Sequence, residues 1–292
     1  MKRTLLAFSG GIETAYIAWK LLTETEDELT CLFLKTPNSV GRRQFDGDIH
    51  QYKKIQPLIT ELKKIRPFEV ILKQCQEHEF NFETEHYYTF FINFAAPLLN
   101  LGIYDRIATG RTWEQAGQKI LSDPNLNGSP SSIAGKRLFD RLVTKGELWN
   151  PLVTHDFKQN FTKAHAIQEL PQNILSKTFS CVTPMLNEND EYHACDLCFK
   201  CLSIKNINKK LSQGKTPEEI DAWRIEKSYE YGGGQVMAPF RYWIYLEMGV
   251  ELPPHINQPK FVNKQQIIDY VLNNSHYSTQ NRKNEGVWEG LV

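Results

Sequence analysis

The chain has 292 residues, 41% of them hydrophobic, enough for one large domain or one domain with an appendage. Lys plus Arg (34) equals Asp plus Glu (34), so the overall charge gives no long-range attraction to nucleic acid or an acidic membrane. No apolar run approaches the roughly 18–20 residues that span a bilayer, and the Met1–Leu6 start breaks at Ser9-Gly10-Gly11 without a cleavage-like site; the expectation is a soluble, cytoplasmic protein.

Thr4–Phe8 reads as a buried first strand. Gly10 and Gly11 follow it, and then Ile12, Ala15, Tyr16, Trp19 and Leu22 recur on one helical face. Leu29–Lys35 is a second strand whose continuous apolar character suits the middle of a parallel sheet. Asp48–Ile65 carries Ile55, Leu58, Ile59, Leu62 and Ile65 at helical spacing, and Pro67 punctuates. Glu69–Leu72 is a short third strand, Glu83–Leu101 a long helix, and Arg106–Thr109 a fourth strand ending at Gly110. This alternation predicts an α/β fold: a Rossmann-like open parallel sheet of about five strands with helices on both faces. Beyond Ile120 comes a polar loop, then mixed structure from Trp149 to Pro184. Thr216-Pro217-Glu218-Glu219 is a helix start with Thr216 as cap and Glu219 completing the box. The expected division is an α/β domain over 1–175, a cysteine segment over 176–207, and a helical extension over 208–292.

Three groups of residues carry chemistry. In Phe8-Ser9-Gly10-Gly11-Ile12-Glu13-Thr14, the glycines admit an anion to the backbone and the helix start supplies unpaired N–H groups. Ser9 and Thr14 add hydroxyls, so the strand–SGG–helix junction describes a phosphate or pyrophosphate cradle; the plain alternative is a tight turn. It is not a Walker A loop, and the nearest lookalike, Gly128 to Gly135-Lys136, has the wrong spacing. Second, Cys181, Cys195, Cys198 and Cys201 crowd together, while Cys31 and Cys75 stand alone as packing residues. Four thiolates with two Cys-x-x-Cys steps satisfy a closed tetrahedral zinc site; an iron–sulfur cluster or free thiols are the rival readings. Third, Gly110-Arg111 follows a strand end and Lys163 sits near a short helix start; each reads as a phosphate contact or as a solvated surface charge. The histidines form no grouping that points to catalysis or metal.

Taken together, these motifs resemble a family. Ser9–Thr14 resembles the pyrophosphate loop of N-type ATP pyrophosphatases, the PP-loop superfamily, whose usual form is Ser-Gly-Gly-x-Asp-Ser. Thr178-Phe179-Ser180-Cys181 with Cys195-x2-Cys198-x2-Cys201 resembles the zinc segment of the 7-cyano-7-deazaguanine synthase (QueC) family of queuosine biosynthesis. Asn93–Ala96, Ala108-Thr109-Gly110, Trp149–Leu152 and Thr162-Lys163-Ala164 extend the similarity over roughly Met1 to Ile207. The resemblance implies an ATP-dependent carbon–nitrogen ligase. ATP with Mg2+ would adenylate 7-carboxy-7-deazaguanine, and ammonia and a second activation would lead to the nitrile. It implies ATP-loop roles for Phe8 to Thr14 with Gly110 and Arg111, catalytic roles for Lys163 and Glu13, zinc on the four clustered cysteines, and a homodimer.

The sequence also departs from the family. Glu13 stands where aspartate is usual, and Thr14 where serine is usual. Arg111-Thr112-Trp113-Glu114 replaces the expected deazaguanine-recognition segment, and Lys35-Thr36-Pro37-Asn38 replaces an aspartate-tyrosine-glycine turn. Two alternatives follow from these departures: an enzyme of the same chemistry diverted to a protein or nucleic-acid acceptor, or a nucleotide-binding partner without activity.

Overall fold

The computed structural model describes residues 1–35, 47–74, 87–110, 137–152, 154, 156–158, 161–181, 185–186, 192–194, 196 and 199–223. The described chain divides into two compact units, with the boundary between Ser180 and Cys181.

The first unit is built on a parallel sheet. Its strands are β1 (Arg3–Ala7), β2 (Glu28–Lys35), β3 (Glu69–Gln74), β4 (Arg106–Ala108) and β5 (Glu147–Trp149), in the order β3-β2-β1-β4-β5. Every pairing is parallel, with Leu6 opposite Cys31 and Ala108, and Ile107 opposite Leu148. Parallel neighbours require crossovers, and the helices supply them: α1 (Ile12–Glu24), α2 (Gly47–Lys63) and α3 (Tyr87–Asn100). The period-2 alternation of the strands sorts side chains to two faces. Leu5, Leu32, Leu34 and Ile107 form a core with Phe91, Ile92, Ala95 and Leu99 of α3 and with Phe139. On the opposite face Phe33 meets Tyr52 of α2, with ring centroids 5.3 Å apart, and α1 buries Ile12, Ala15, Tyr16, Ile17, Ala18 and Leu21. The expected α/β fold is therefore present.

The expected strands and helices are found with small shifts. β1 and β2 each begin one residue early, β3 runs two residues beyond Leu72, and β4 stops one short of Thr109. α2 is shifted one residue earlier at its start and ends at Lys63; residues 83–86, expected to open α3, lie outside the described residues. Cys31 is fully buried in the sheet, where burial pushes its thiol pKa up and leaves a packing residue. Cys75 lies outside the described residues. Arg106, the first residue of β4, stacks over Trp149 of β5 at 3.4 Å and donates to Thr4 Oγ1 at 2.9 Å while pairing with Asp27. Two further helices, α4 (Lys163–Glu169) and α5 (Gln172–Leu175), complete this unit.

The second unit begins with a small antiparallel ladder, β6 (Met185–Leu186) against β7 (Tyr192–His193), and continues into α6 (Phe199–Ser212). α6 runs unbroken through residue 207, where the sequence suggests a boundary. The expected capping box forms: Glu219 N–H donates to Thr216 Oγ1 at 3.2 Å, and Thr216 N–H to Glu219 Oε2 at 2.9 Å, ahead of helical residues 217–223. No helix among the described residues is long and apolar enough to cross a membrane.

Candidate functional site

In an open parallel sheet the strand order reverses where ligands gather, outside the carboxyl ends. Here the reversal falls between β1 and β4, and the loops after those strands are Phe8–Gly11 and Thr109–Gly110. The second loop lies against the first turn of α1: a Cβ on Gly110 would lie 2.5 Å from Thr14 Cγ2.

The paired glycines do different work. Gly10 has φ +73°, and a Cβ there would collide with Ile55 Cγ2 of α2 at 2.1 Å. Turn geometry and helix packing both require glycine at this position. Gly11 has φ −73° and ψ 167°, which any residue adopts. A Cβ on Gly11 would meet three oxygens instead: Ser180 Oγ at 3.2 Å, Ser9 Oγ at 3.3 Å and Glu13 Oε2 at 3.6 Å. The second glycine keeps open a space bounded by oxygens rather than satisfying the backbone.

Gly11 is also the N-cap of α1, which has no side-chain cap hydrogen bond. The orphan N–H groups and partial positive charge of a 13-residue helix therefore point toward the loop. Within the loop, Gly11 N–H donates to Ser9 Oγ at 3.3 Å, Thr14 Oγ1 donates to Gly11 O at 3.2 Å, and Ser9 Oγ and Thr14 Oγ1 lie 3.4 Å apart. Phe8 is fully buried and anchors the strand end by donating its N–H to Leu32 O at 2.9 Å. Ile12 is buried at the first turn.

Glu13 and Lys163 come together here from distant parts of the chain. Lys163 Nζ lies 2.8 Å from Glu13 Oε1, and each residue is 8% exposed. Lys163 is therefore no solvated surface charge. Its position follows from the cap of α4: Thr162 N–H donates to His165 Nδ1 at 3.1 Å, with the Thr162 hydroxyl 3.0 Å from the same nitrogen. α4 is tied to α1 at its other end, where Tyr16 donates its hydroxyl to Glu169 Oε2 at 2.6 Å and packs on Phe161, centroids 4.4 Å apart. Burial, then the bond to Glu169, pushes the Tyr16 phenol up, so it stays a donor. Burial alone would raise Glu169, but the hydrogen bonds from Lys158 and Tyr16 outweigh it and hold the carboxyl low. Thr109 and Asn150, both buried, hydrogen-bond side chain to side chain and join the β4 and β5 ends beside the loop.

A segment that follows α5 closes over the loop. Phe179 N–H donates to Gly10 O at 2.9 Å, which brings Ser180 to the space beside Gly11. The only sequence signal for this contact was the Thr178–Cys181 motif, and that motif says nothing of proximity. Arg111 lies outside the described residues, so only Gly110 of that pair is seen at the site.

Of the clustered cysteines, Cys181 is 4% and Cys201 7% exposed; Cys201 lies in the first turn of α6, and Cys195 and Cys198 lie outside the described residues. Asp196, between the latter two, has φ +60° and pairs with Lys205 of α6 at 3.2 Å. Aspartate is among the few non-glycine residues that enter this left-handed region readily. Among the described residues no group of three or more possible ligands is assembled.

No family model matches the chain, and no curated protein matches it. Among solved structures it is similar to the U34-tRNA thiolase NcsA from Methanococcus maripaludis with its [4Fe-4S] cluster. That similarity has 13% identity and a TM-score of 0.38, covering 92% of this chain and 81% of that one.

Proposed function

We propose that this chain is an ATP-consuming enzyme that activates a carboxylate by adenylation. Its acid would be 7-carboxy-7-deazaguanine and its product the 7-cyano compound. The observation that carries the reading is Gly11, a glycine that its backbone does not require, on an uncapped helix start, within a space bounded by two hydroxyls and a carboxylate that a buried lysine pairs.

The chemistry asks for such a site. A carboxylate does not react with ammonia until its oxygen is made part of a good leaving group. In this reading the substrate carboxylate oxygen attacks the α-phosphorus of ATP, the bond to the β-phosphate oxygen breaks, and pyrophosphate leaves. Ammonia then attacks the acyl carbon, loses a proton and displaces AMP to give the amide. The amide oxygen attacks the α-phosphorus of a second ATP, pyrophosphate leaves and the nitrogen gives up one proton to form the O-adenylated imidate; loss of AMP and of the second N–H proton gives the nitrile. Charge accumulates on the departing pyrophosphate, where Ser9, the loop N–H groups and the start of α1 supply donors. Lys163 would balance that charge, and Glu13 would be the carboxylate available to the magnesium ion that accompanies ATP.

In the second unit, Cys181, Cys195, Cys198 and Cys201 would hold one structural zinc ion. Soft thiolate donors and the burial of Cys181 and Cys201 fit that ion, whose contribution is to stabilise this segment's fold.

Arg111-Thr112-Trp113-Glu114, in place of a deazaguanine-recognition segment, favours a second reading in which the same activation serves another acceptor. One experiment separates the two. The protein is incubated with 7-carboxy-7-deazaguanine, ATP, magnesium and ammonium, and the nitrile is sought by mass spectrometry. Nitrile supports the first reading; AMP and pyrophosphate released without nitrile, with product formed only when a protein or nucleic-acid acceptor is added, supports the second.

A further inference from the structure

Among the described residues, one buried side-chain polar atom has no hydrogen-bond partner, and it is Ser180 Oγ. Native proteins pair the large majority of such groups, because an orphan carries its full desolvation cost. The orphan is not the product of a loose segment. Phe179 N–H is bonded to Gly10 O at 2.9 Å, and the Thr178 hydroxyl donates to Leu175 O at 2.8 Å. Lys177 reaches Glu61 Oε2 at 2.5 Å. The backbone therefore holds Ser180 where it is, and its hydroxyl faces the space that Gly11 leaves open, 3.2 Å from the point a Cβ would occupy.

We propose that Ser180 is a ligand-binding residue of this loop: its hydroxyl donates to a phosphate oxygen of the nucleotide seated on Ser9–Thr14. The assignment rests on the nucleotide reading above. A serine hydroxyl rotates freely and can donate to any acceptor that arrives. Phosphate oxygens are such acceptors, and they are drawn to this point by the uncapped start of α1 and by Lys163. Binding would supply the missing partner, so the cost carried in the empty protein returns as affinity for the ligand.

The test uses the full chain as three proteins: the parent, Ser180→Ala and Ser180→Thr. Thermal midpoints are measured without ligand, and affinities are measured for MgATP, for inorganic pyrophosphate and for Mg2+ alone. Ser180→Ala is expected to keep or raise the empty midpoint, since it deletes an unsatisfied group. It is expected to weaken MgATP and pyrophosphate by about 10- to 100-fold, the range for hydrogen bonds to charged acceptors. Ser180→Thr, which keeps the hydroxyl, should recover most of that loss, and Mg2+ affinity should not change. Parent-like affinity in Ser180→Ala overturns the assignment, as does a lowered midpoint with unchanged affinity. A loss confined to Mg2+ makes Ser180 a cation ligand and also overturns it. If the parent itself binds neither MgATP nor pyrophosphate, it is the nucleotide reading that fails, and the assignment falls with it.

Discussion

Gly10 and Gly11 are neighbours in sequence but should answer differently to the same substitution. Gly10→Ala forces a Cβ into Ile55 at φ +73°, so it should lower the thermal midpoint sharply or leave the protein insoluble. Gly11→Ala meets only hydroxyl and carboxylate oxygens, at distances that ask for shifts of a few tenths of an ångström. It should stay folded and lose MgATP affinity, which calorimetric titration beside a melting curve would check. The Glu13–Lys163 pair makes a second prediction at this scale. Lys163→Ala strands a carboxylate that is 8% exposed, a change that typically costs about 3–5 kcal/mol. For a domain of this size that corresponds to a midpoint lower by roughly 6–20 °C. The double variant Glu13→Gln/Lys163→Met removes both charges and should recover most of the stability but none of the nucleotide affinity. Full recovery of affinity in the double variant would remove both residues from the site. The sequence offered no sign of this pair as a pair: each residue sits in a local motif, and only the crossing of α1 and α4 joins them.

The elements that hold the loop depend on charge, and their response to acid has a definite sign. Glu61 of α2 accepts from Lys177, Asn173 and Lys64, and these bonds hold its carboxyl down at about 2. A depressed carboxyl contributes stability that is fully present above its unfolded value, near 4.5, and is lost as pH falls toward about 2. Melting curves from pH 5 to pH 2 should therefore show a decline that Glu61→Gln flattens, and added salt should shrink the difference because the partners Lys64 and Lys177 reach solvent. An identical decline in the variant would place the acid sensitivity elsewhere. In the second unit, Cys201→Ser should give insoluble or low-melting protein, since zinc binding in such sites is comparable to a domain's whole stability. Metal analysis of the parent should find one zinc per chain; iron with sulfide and visible absorbance would contradict the zinc assignment. Elements differed in how plainly they could be read. β1–α1 announced itself, because an apolar run switches period at Gly10-Gly11 and both halves are long enough to show it. β5 did not, because three residues after a polar loop carry no period of their own and pair only through β4.

At the scale of the whole molecule, the α/β order was legible because every strand–helix alternation in 1–110 leaves a local pattern of apolar spacing. The closure of the Thr178–Ser180 segment over the first loop was not. It depends on Glu61, Lys177 and the Phe179–Gly10 backbone bond, contacts between residues far apart in the chain that no window of sequence contains. The loop, the buried pair and Ser180 bear on one proposed step, the transfer of a substrate oxygen to the α-phosphorus of ATP. The direct measurement is isotopic. 7-Carboxy-7-deazaguanine labelled with 18O in its carboxylate is turned over with ATP, magnesium and ammonium, and the released nucleotide is weighed by mass spectrometry. AMP that carries one label from the acid is expected, released together with pyrophosphate. ADP with inorganic phosphate, or AMP without label, would contradict that step.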